Sequence, residues 1–233
     1  MKQQVRIEKY IGDITTFSRK VIKQKLKQKA IKVNGILITE LIKINPEKDI
    51  VELDGSKLEY NKFQYYMFNK PAGFITANND WYSSTIFDIL GLKRDKFFAF
   101  GRLDKDTEGL LIISNDGQMC HTLLSPKNHV PKKYLVRVDK KLDSEVLNKN
   151  LPIKINDEFI VENYLFEKIN DKTCYITIYE GKFHQVKKMF ATQGCSVLYL
   201  KRIQFGKLQL DPNLKLGSIR KLTEEEIKLM QEK

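Results

Sequence analysis

Between Ser18 and Ile31 the apolar residues Val21, Ile22, Leu26, Ala30 and Ile31 recur at near-helical spacing. Ser18 stands where an N-cap belongs and lysines occupy the other face, which predicts one amphipathic, basic helix. The period then changes. IKVNGILITELIKI alternates β-branched residues about Asn34-Gly35, a dipeptide that favours a two-residue hairpin turn, and after Pro46 the stretch DIVELDG supplies another short strand. Residues 1 to about 59 therefore read as two short helices followed by a small sheet. The short polar segment Glu59-Tyr60-Asn61-Lys62 suits a linker and sets a domain boundary there.

From Gln64 onward the pattern is that of strands: QYYMF, GFITA, FFAFG, GLLIIS, KKYLVRV, TCYITIY and SVLYLKRIQF are all rich in β-branched or aromatic residues. Helices are expected at Ser84 to Leu90, Gly117 to Leu124, Leu142 to Leu147, Phe183 to Thr192 and Thr223 to Met230, the last opened by a capping-box pattern, Thr223-Glu224-Glu225-Glu226. Long strand runs broken irregularly by helices imply an α+β fold with a mixed, mostly antiparallel sheet. The expected organisation is a small domain over residues 1–59 and a larger one over 60–233.

Composition narrows the class. With 42% hydrophobic and 10% aromatic residues in 233, the chain has ample material for a core and does not read as disordered. No stretch approaches the roughly 18 uninterrupted apolar residues that a bilayer-spanning helix needs. The first residues, MKQQVRIEKY, hold no apolar signal region, so the expected location is cytoplasmic. Cys120, Cys174 and Cys195 are far apart and never in a Cys-x-x-Cys pair, and His121, His129 and His184 show no ligand spacing, so neither a disulfide framework nor a metal site is expected.

The net charge of +12 is distributed unevenly. Between Asp13 and Glu40 no acid occurs, yet Arg19, Lys20, Lys23, Lys25, Lys27, Lys29 and Lys32 do. From Lys182 to Arg220, eight cations face only Asp211. One such run is as readily a solvated lysine-rich face; two that lack acids favour a polyanion such as nucleic acid, with Arg19, Lys20, Lys23 and Lys27 as RNA-binding candidates.

The densest cluster of unusual residues is GRLDKDTEGLLIISNDG, Gly101 to Gly117, in which a strand ends in charges, turns at Gly109 and re-enters as an apolar strand. A carboxylate held at a strand end between Arg102 and Lys105 is one way to keep an ionised acid ready for nucleophilic or base work. As pattern alone, Arg-x-Asp in a turn is more often a surface ion pair.

Taken together, several motifs resemble those of the pseudouridine synthases of the family that includes ribosomal small-subunit synthase A and its large-subunit relatives. GRLDKDTEGLLIISNDG is similar to the central motif, YYMFNKPAGFIT to the one that opens the catalytic domain, SPKNHVPKKYLV to the tyrosine-bearing segment and EGKFHQVKKMFATQG to the basic helix motif. RIEKYI and SRKVIKQKLKQKAIKVNG resemble the S4 RNA-binding domain, although Ile14-Thr15-Thr16-Phe17 stands where that family usually has a glycine. The resemblance implies that Asp104 is the catalytic aspartate, that Tyr134 stacks on the target uracil, that Lys187 is the basic partner of Asp104, and that Arg102 lies near the flipped nucleotide. It implies no cofactor.

Each role has a plainer rival. Tyr134 also fits a strand residue packed in the core, Lys188 replaces Lys187 if the register is off by one, and Asp106 competes with Asp104. Asp116 and His184 read as capping or orienting backbone, and Asn69 to Gly73 as a fixed turn beside the site. His184, Lys187 and SPKNHVPKKY look closer to the small-subunit member, so the expected substrate is a uridine in 16S rRNA, free or in a small-subunit assembly intermediate, acted on by a monomer. The alternatives are a 23S rRNA uridine, or a non-catalytic RNA-binding assembly factor.

Overall fold

The computed structural model describes residues 4–15, 17–58, 63–125, 128, 130–142 and 144–232. The chain divides into two compact units, Met1–Lys62 and Phe63–Lys233. The expected linker, residues 59–62, lies outside the described residues.

In the first unit, the helices Ile7–Ile14 and Arg19–Lys27 pack with a four-stranded antiparallel sheet. Ser18 caps the second helix, its hydroxyl accepting from the Val21 N–H at 3.3 Å. That helix is shorter than the apolar pattern suggests: Lys29 adopts φ 56° and Ile31 already opens the strand Ile31–Val33. Ile22 and Leu26 face a core with Ile7, Tyr10, Ile11 and Val51, whereas Arg19, Lys20, Lys23 and Lys27 are exposed. Two tight hairpins build the sheet. Asn34-Gly35, at φ 53° and 80°, joins Ile31–Val33 to Ile36–Leu37, and Asp54-Gly55, at φ 50° and 78°, joins Val51–Leu53 to Ser56–Leu58.

The second unit is α+β, with a nine-stranded sheet that is antiparallel but for one junction. Its main path runs Tyr164–Asn170, Thr173–Ile178, Lys132–Val138, Val197–Phe205, Glu108–Ser114, Tyr65–Lys70, Ile219–Lys221. The central strand Glu108–Ser114 is covered on both faces, which explains its unbroken apolar run. Leu111 and Ile113 pack with Val186, Met189 and Phe190 of the helix Gln185–Thr192. Leu110 and Ile112 pack with Leu123 of the helix Gly117–Leu124 and with Met230, which follows the helix Glu224–Leu229.

Several expectations need correction. GFITA is not a strand: Gly73, at φ 93°, and Thr76 turn their hydrogen bonds to the Leu103–Lys105 loop, leaving one bridge between Ile75 and Thr85. The helix expected from Ser84 to Leu90 is a single 3₁₀ turn, Ile86–Asp88, closed by a Thr85/Asp88 capping box. The helix expected to begin at Leu142 is Glu145–Asn148, because Ser144 caps it. Strands at Ile153–Asn156, Phe159–Val161, Tyr164–Asn170, Leu208–Gln209 and Ile219–Lys221 escaped the pattern, being short or, in Tyr164–Asn170, mostly exposed. The Thr223 capping box forms as read.

Two constraints fix the loop before the central strand. Gly109 is not a turn but lies within that strand, at its parallel contact with Val197–Phe205. There φ is 104°, and an added Cβ would sit 2.2 Å from the Arg202 carbonyl oxygen. The second constraint is Lys70, fully buried at the end of Tyr65–Lys70. Its ammonium donates to the carbonyls of Thr107 (2.8 Å), Asp104 (3.0 Å) and Pro71 (3.1 Å), with that of Lys105 more distant at 3.4 Å. Three donors thus meet three close acceptors, all backbone.

Gly109→Ala is expected to destabilise the chain by about 3 kcal/mol, from overlap plus backbone strain. Gly91→Ala, where φ is 66° but nothing stands within 4 Å of the added carbon, should cost about 1 kcal/mol. Urea unfolding of both variants checks the contrast, and equal costs would contradict the close-approach account. Burial lowers the Lys70 pKa to about 8, against the pull of Asp106, Asp104 and Glu108. Above that pH the folded chain has shed a proton that the unfolded chain keeps, so this group makes stability rise with pH from about 8 to 10. The rise in urea midpoint across that window should be smaller in Lys70→Met than in the wild type; an equal rise would refute the assignment.

Candidate active site

The Gly101–Thr107 loop carries the charged cluster, and backbone contacts hold it from two sides. Thr76 Oγ1 donates to the Leu103 carbonyl (2.8 Å) and accepts from the Leu103 N–H (3.1 Å), the Gly73 N–H donates to the Lys105 carbonyl (2.7 Å), and Lys70 lies beneath. With its backbone so restrained, Asp104 presents its carboxylate to the N-terminal turn of the helix Gln185–Thr192. Lys187 Nζ lies 3.1 Å from Asp104 Oδ2 and 2.6 Å from Asp106 Oδ1. Lys188 instead sits over the Phe183 ring, 5.3 Å from its centroid.

The two carboxylates differ in exposure: the Asp106 side chain is 71% accessible, that of Asp104 25%. Partial burial pushes the Asp106 carboxyl up, but the hydrogen bond and charge of Lys187 outweigh it and hold the pKa below the ordinary value. Burial likewise acts to lower the Lys187 pKa, and the bonds to Asp106 and Asp104 more than offset it, so the ammonium is firmly charged at neutral pH.

Arg102, Asp104, Tyr134, His184, Lys187 and Leu200 line one cleft. The structure thus brings together all four residues singled out for the catalytic unit. Tyr134 is 7% exposed and packs in the core with Val136 and Val138, so the packing and cleft-lining readings apply to the same ring. Arg19, Lys20, Lys23 and Lys27 belong to the first unit and are exposed on its second helix. Asp116 caps the helix Gly117–Leu124, accepting from the Met119 N–H at 3.0 Å. His184 holds the N-cap position of the helix Gln185–Thr192 but its side chain makes no cap bond: at φ 53° its ring stacks on Phe183 (3.8 Å) and its Nε2 lies 3.7 Å from Asp104 Oδ1. In the tyrosine-bearing segment, residues 126, 127 and 129 lie outside the described residues.

Lys70, Thr76, Lys132 and Arg202 were not anticipated. The one signal for Lys70 was a lysine one residue beyond the apolar run YYMF and just before a proline. For Arg202 it was an arginine within the apolar strand VLYLKRIQF.

Comparison with known proteins agrees with the motifs. The model of the RNA pseudouridylate synthase family matches residues 64–192. The chain is 38% identical to the uncharacterized RNA pseudouridine synthase YtzG of Bacillus subtilis, over 98% of this chain and 99% of that protein. It is 33% identical to ribosomal small subunit pseudouridine synthase A of Escherichia coli, over 96% and 98% respectively. A crystal structure of a pseudouridylate synthase superposes with a TM-score of 0.68 at 32% identity, covering 97% of this chain and 99% of that one. The chain therefore belongs to the RNA pseudouridine synthase family, in the branch of ribosomal small subunit pseudouridine synthase A.

Proposed function

We propose that the protein converts one uridine of 16S rRNA to pseudouridine, with Asp104 as the catalytic carboxylate. The observation that carries this is the Asp104–Lys187 pair at 3.1 Å in a cleft that Arg102 and Tyr134 also line. The isomerisation detaches uracil from its ribose, turns it and rejoins it through carbon 5, so the base must first leave the RNA stack. Tyr134 offers a π-face to the extruded base, worth roughly 1–3 kcal/mol. Lys187 sets its ammonium against the Asp104 carboxylate and fixes where that carboxylate points. Arg102, exposed at the rim, meets the phosphate of the flipped nucleotide. The choice of 16S over 23S rRNA follows the small-subunit relatives and the His184–Lys187 motif.

In the same reading, residues 1–59 form an S4-like RNA-binding domain and residues 60–233 the catalytic domain. The support is the acid-free, exposed cationic face of Arg19, Lys20, Lys23 and Lys27. The protein acts as a monomer in the cytoplasm, on 16S rRNA or a small-subunit assembly intermediate.

Asp104→Asn should abolish pseudouridine formation by the purified protein on 16S rRNA while leaving RNA affinity within about threefold, because the swap conserves shape. Asp106→Asn should retain activity within about tenfold, since its carboxylate is the solvent-facing one. Turnover by the first variant, or inactivity only in the second, would move the catalytic role. Replacing Arg19, Lys20, Lys23 and Lys27 together with Gln should flatten the dependence of log affinity on log salt by about 0.9 for each phosphate that the helix no longer neutralises. An unchanged slope would show the helix to be merely a solvated face.

A further inference from the structure

Beside the Asp104 cleft lies a second cavity of about 570 Å³, within the usual size range of ligand pockets. Arg102 and Tyr134 line both, so the two are neighbours. Its lining combines apolar residues, Leu123, Leu124, Val130 and Tyr179, with the cations Arg102, Lys132, Lys182 and Arg202. The single acid in the lining, Glu180, accepts a hydrogen bond from Gln185 Nε2 at 2.9 Å.

Two of those cations are buried and form no ion pair among the described residues, although the charge of Glu180 reaches Lys132. Arg202 is 2% exposed; its Nε donates to the Leu110 carbonyl at 2.7 Å, while Nη2 has no partner among the described residues. Lys132 is 8% exposed and meets only backbone, the Val130 carbonyl at 2.8 Å and, weakly, that of Tyr179 at 3.5 Å. Both lie over the Phe205 ring, 5.7 and 5.6 Å from its centroid. Holding two like charges dry and close together is destabilising, and an unpaired guanidinium donor adds to it. A neutral side chain would fill the same space without that penalty. An entering anion reverses the sign, because its charge offsets the repulsion between the two cations.

We propose that this cavity is a second nucleotide subsite, in which Lys132 and Arg202 bind the phosphodiester of a nucleotide neighbouring the extruded uridine and the apolar lining residues receive its base. The inference rests on the RNA-modifying reading above and extends it from one nucleotide to two. Tyr134, lining both cavities, then contributes to both subsites.

The test is equilibrium binding of single-stranded oligouridylate, whose identical nucleotides fill any subsite, to the full-length protein over a series of salt concentrations. Lys132→Met should weaken binding about tenfold and lower the salt slope by about 0.7, the value for one neutralised phosphate on a single strand. Leu124→Trp, at a half-exposed position of the wall, should also weaken binding about tenfold by occupying the cavity while leaving both buried cations in place. A melting temperature within a few degrees of wild type certifies each variant as folded. Wild-type affinity and slope in a folded Lys132→Met, or wild-type affinity in Leu124→Trp, would overturn the subsite. The two readings fail separately. Absence of pseudouridine formation on ribosomal RNA would sink the catalytic assignment yet leave a lowered slope standing, whereas intact activity beside unchanged binding in both variants would sink only the subsite.

Discussion

The arrangement depends on a buried ammonium holding backbone. Lys70 gathers the carbonyls of Pro71, Asp104 and Thr107 around one cation, so the path of the charged loop follows from the position of a strand end rather than from the loop's own side chains. A loop rich in Asp, Lys and Arg has little intrinsic preference for one conformation. Restraining it by Lys70 from below and Thr76 from the side converts it into part of the scaffold. Gly109 completes the restraint by letting the Arg202 backbone approach at the one parallel junction of the sheet.

Upon that scaffold, charge is layered by exposure. The ammonium of Lys70 is fully buried and tied to backbone; Lys132 and Arg202 are buried beside an open cavity; Lys187 is partly exposed and shared between two carboxylates. Each layer has a distinct consequence. Backbone-tied charge shapes the loop, charge with no ion pair is where the proposed anion would sit, and the charge of Lys187 holds the Asp106 carboxyl below its ordinary pKa. The cations between Lys182 and Arg220 therefore serve different ends, since Lys187 turns to the cleft, Arg202 turns inward and Arg220 pairs with Asp211 and Glu226.

Much of this was legible in the sequence because it is local. The caps at Ser18 and Thr223, the Asn34-Gly35 hairpin and the buried run GLLIIS each carry their signal within a few residues. The motif around Asp104 also pointed to Lys187, although the two lie far apart in the chain, because resemblance supplied a pairing that periodicity lacks. What stayed hidden is what tertiary contacts alone decide. Nothing near Lys70 announces that two of its partners will be carbonyls more than thirty residues away. GFITA has strand composition, yet its hydrogen bonds go to the Leu103–Lys105 loop. His184 reads as a helix-capping residue until the backbone at φ 53° turns its ring toward Asp104.

The central claim, that a carboxylate at Asp104 isomerises a uridine of small-subunit ribosomal RNA, is tested most directly in cells. Pseudouridine is mapped at nucleotide resolution in ribosomal RNA from a strain lacking the gene, complemented with the wild-type chain or with Asp104→Asn. The account predicts that one pseudouridine disappears from 16S rRNA on deletion, returns with the wild type and stays absent with Asp104→Asn. An unchanged 16S map, or restoration of the missing nucleotide by the Asn variant, would contradict it.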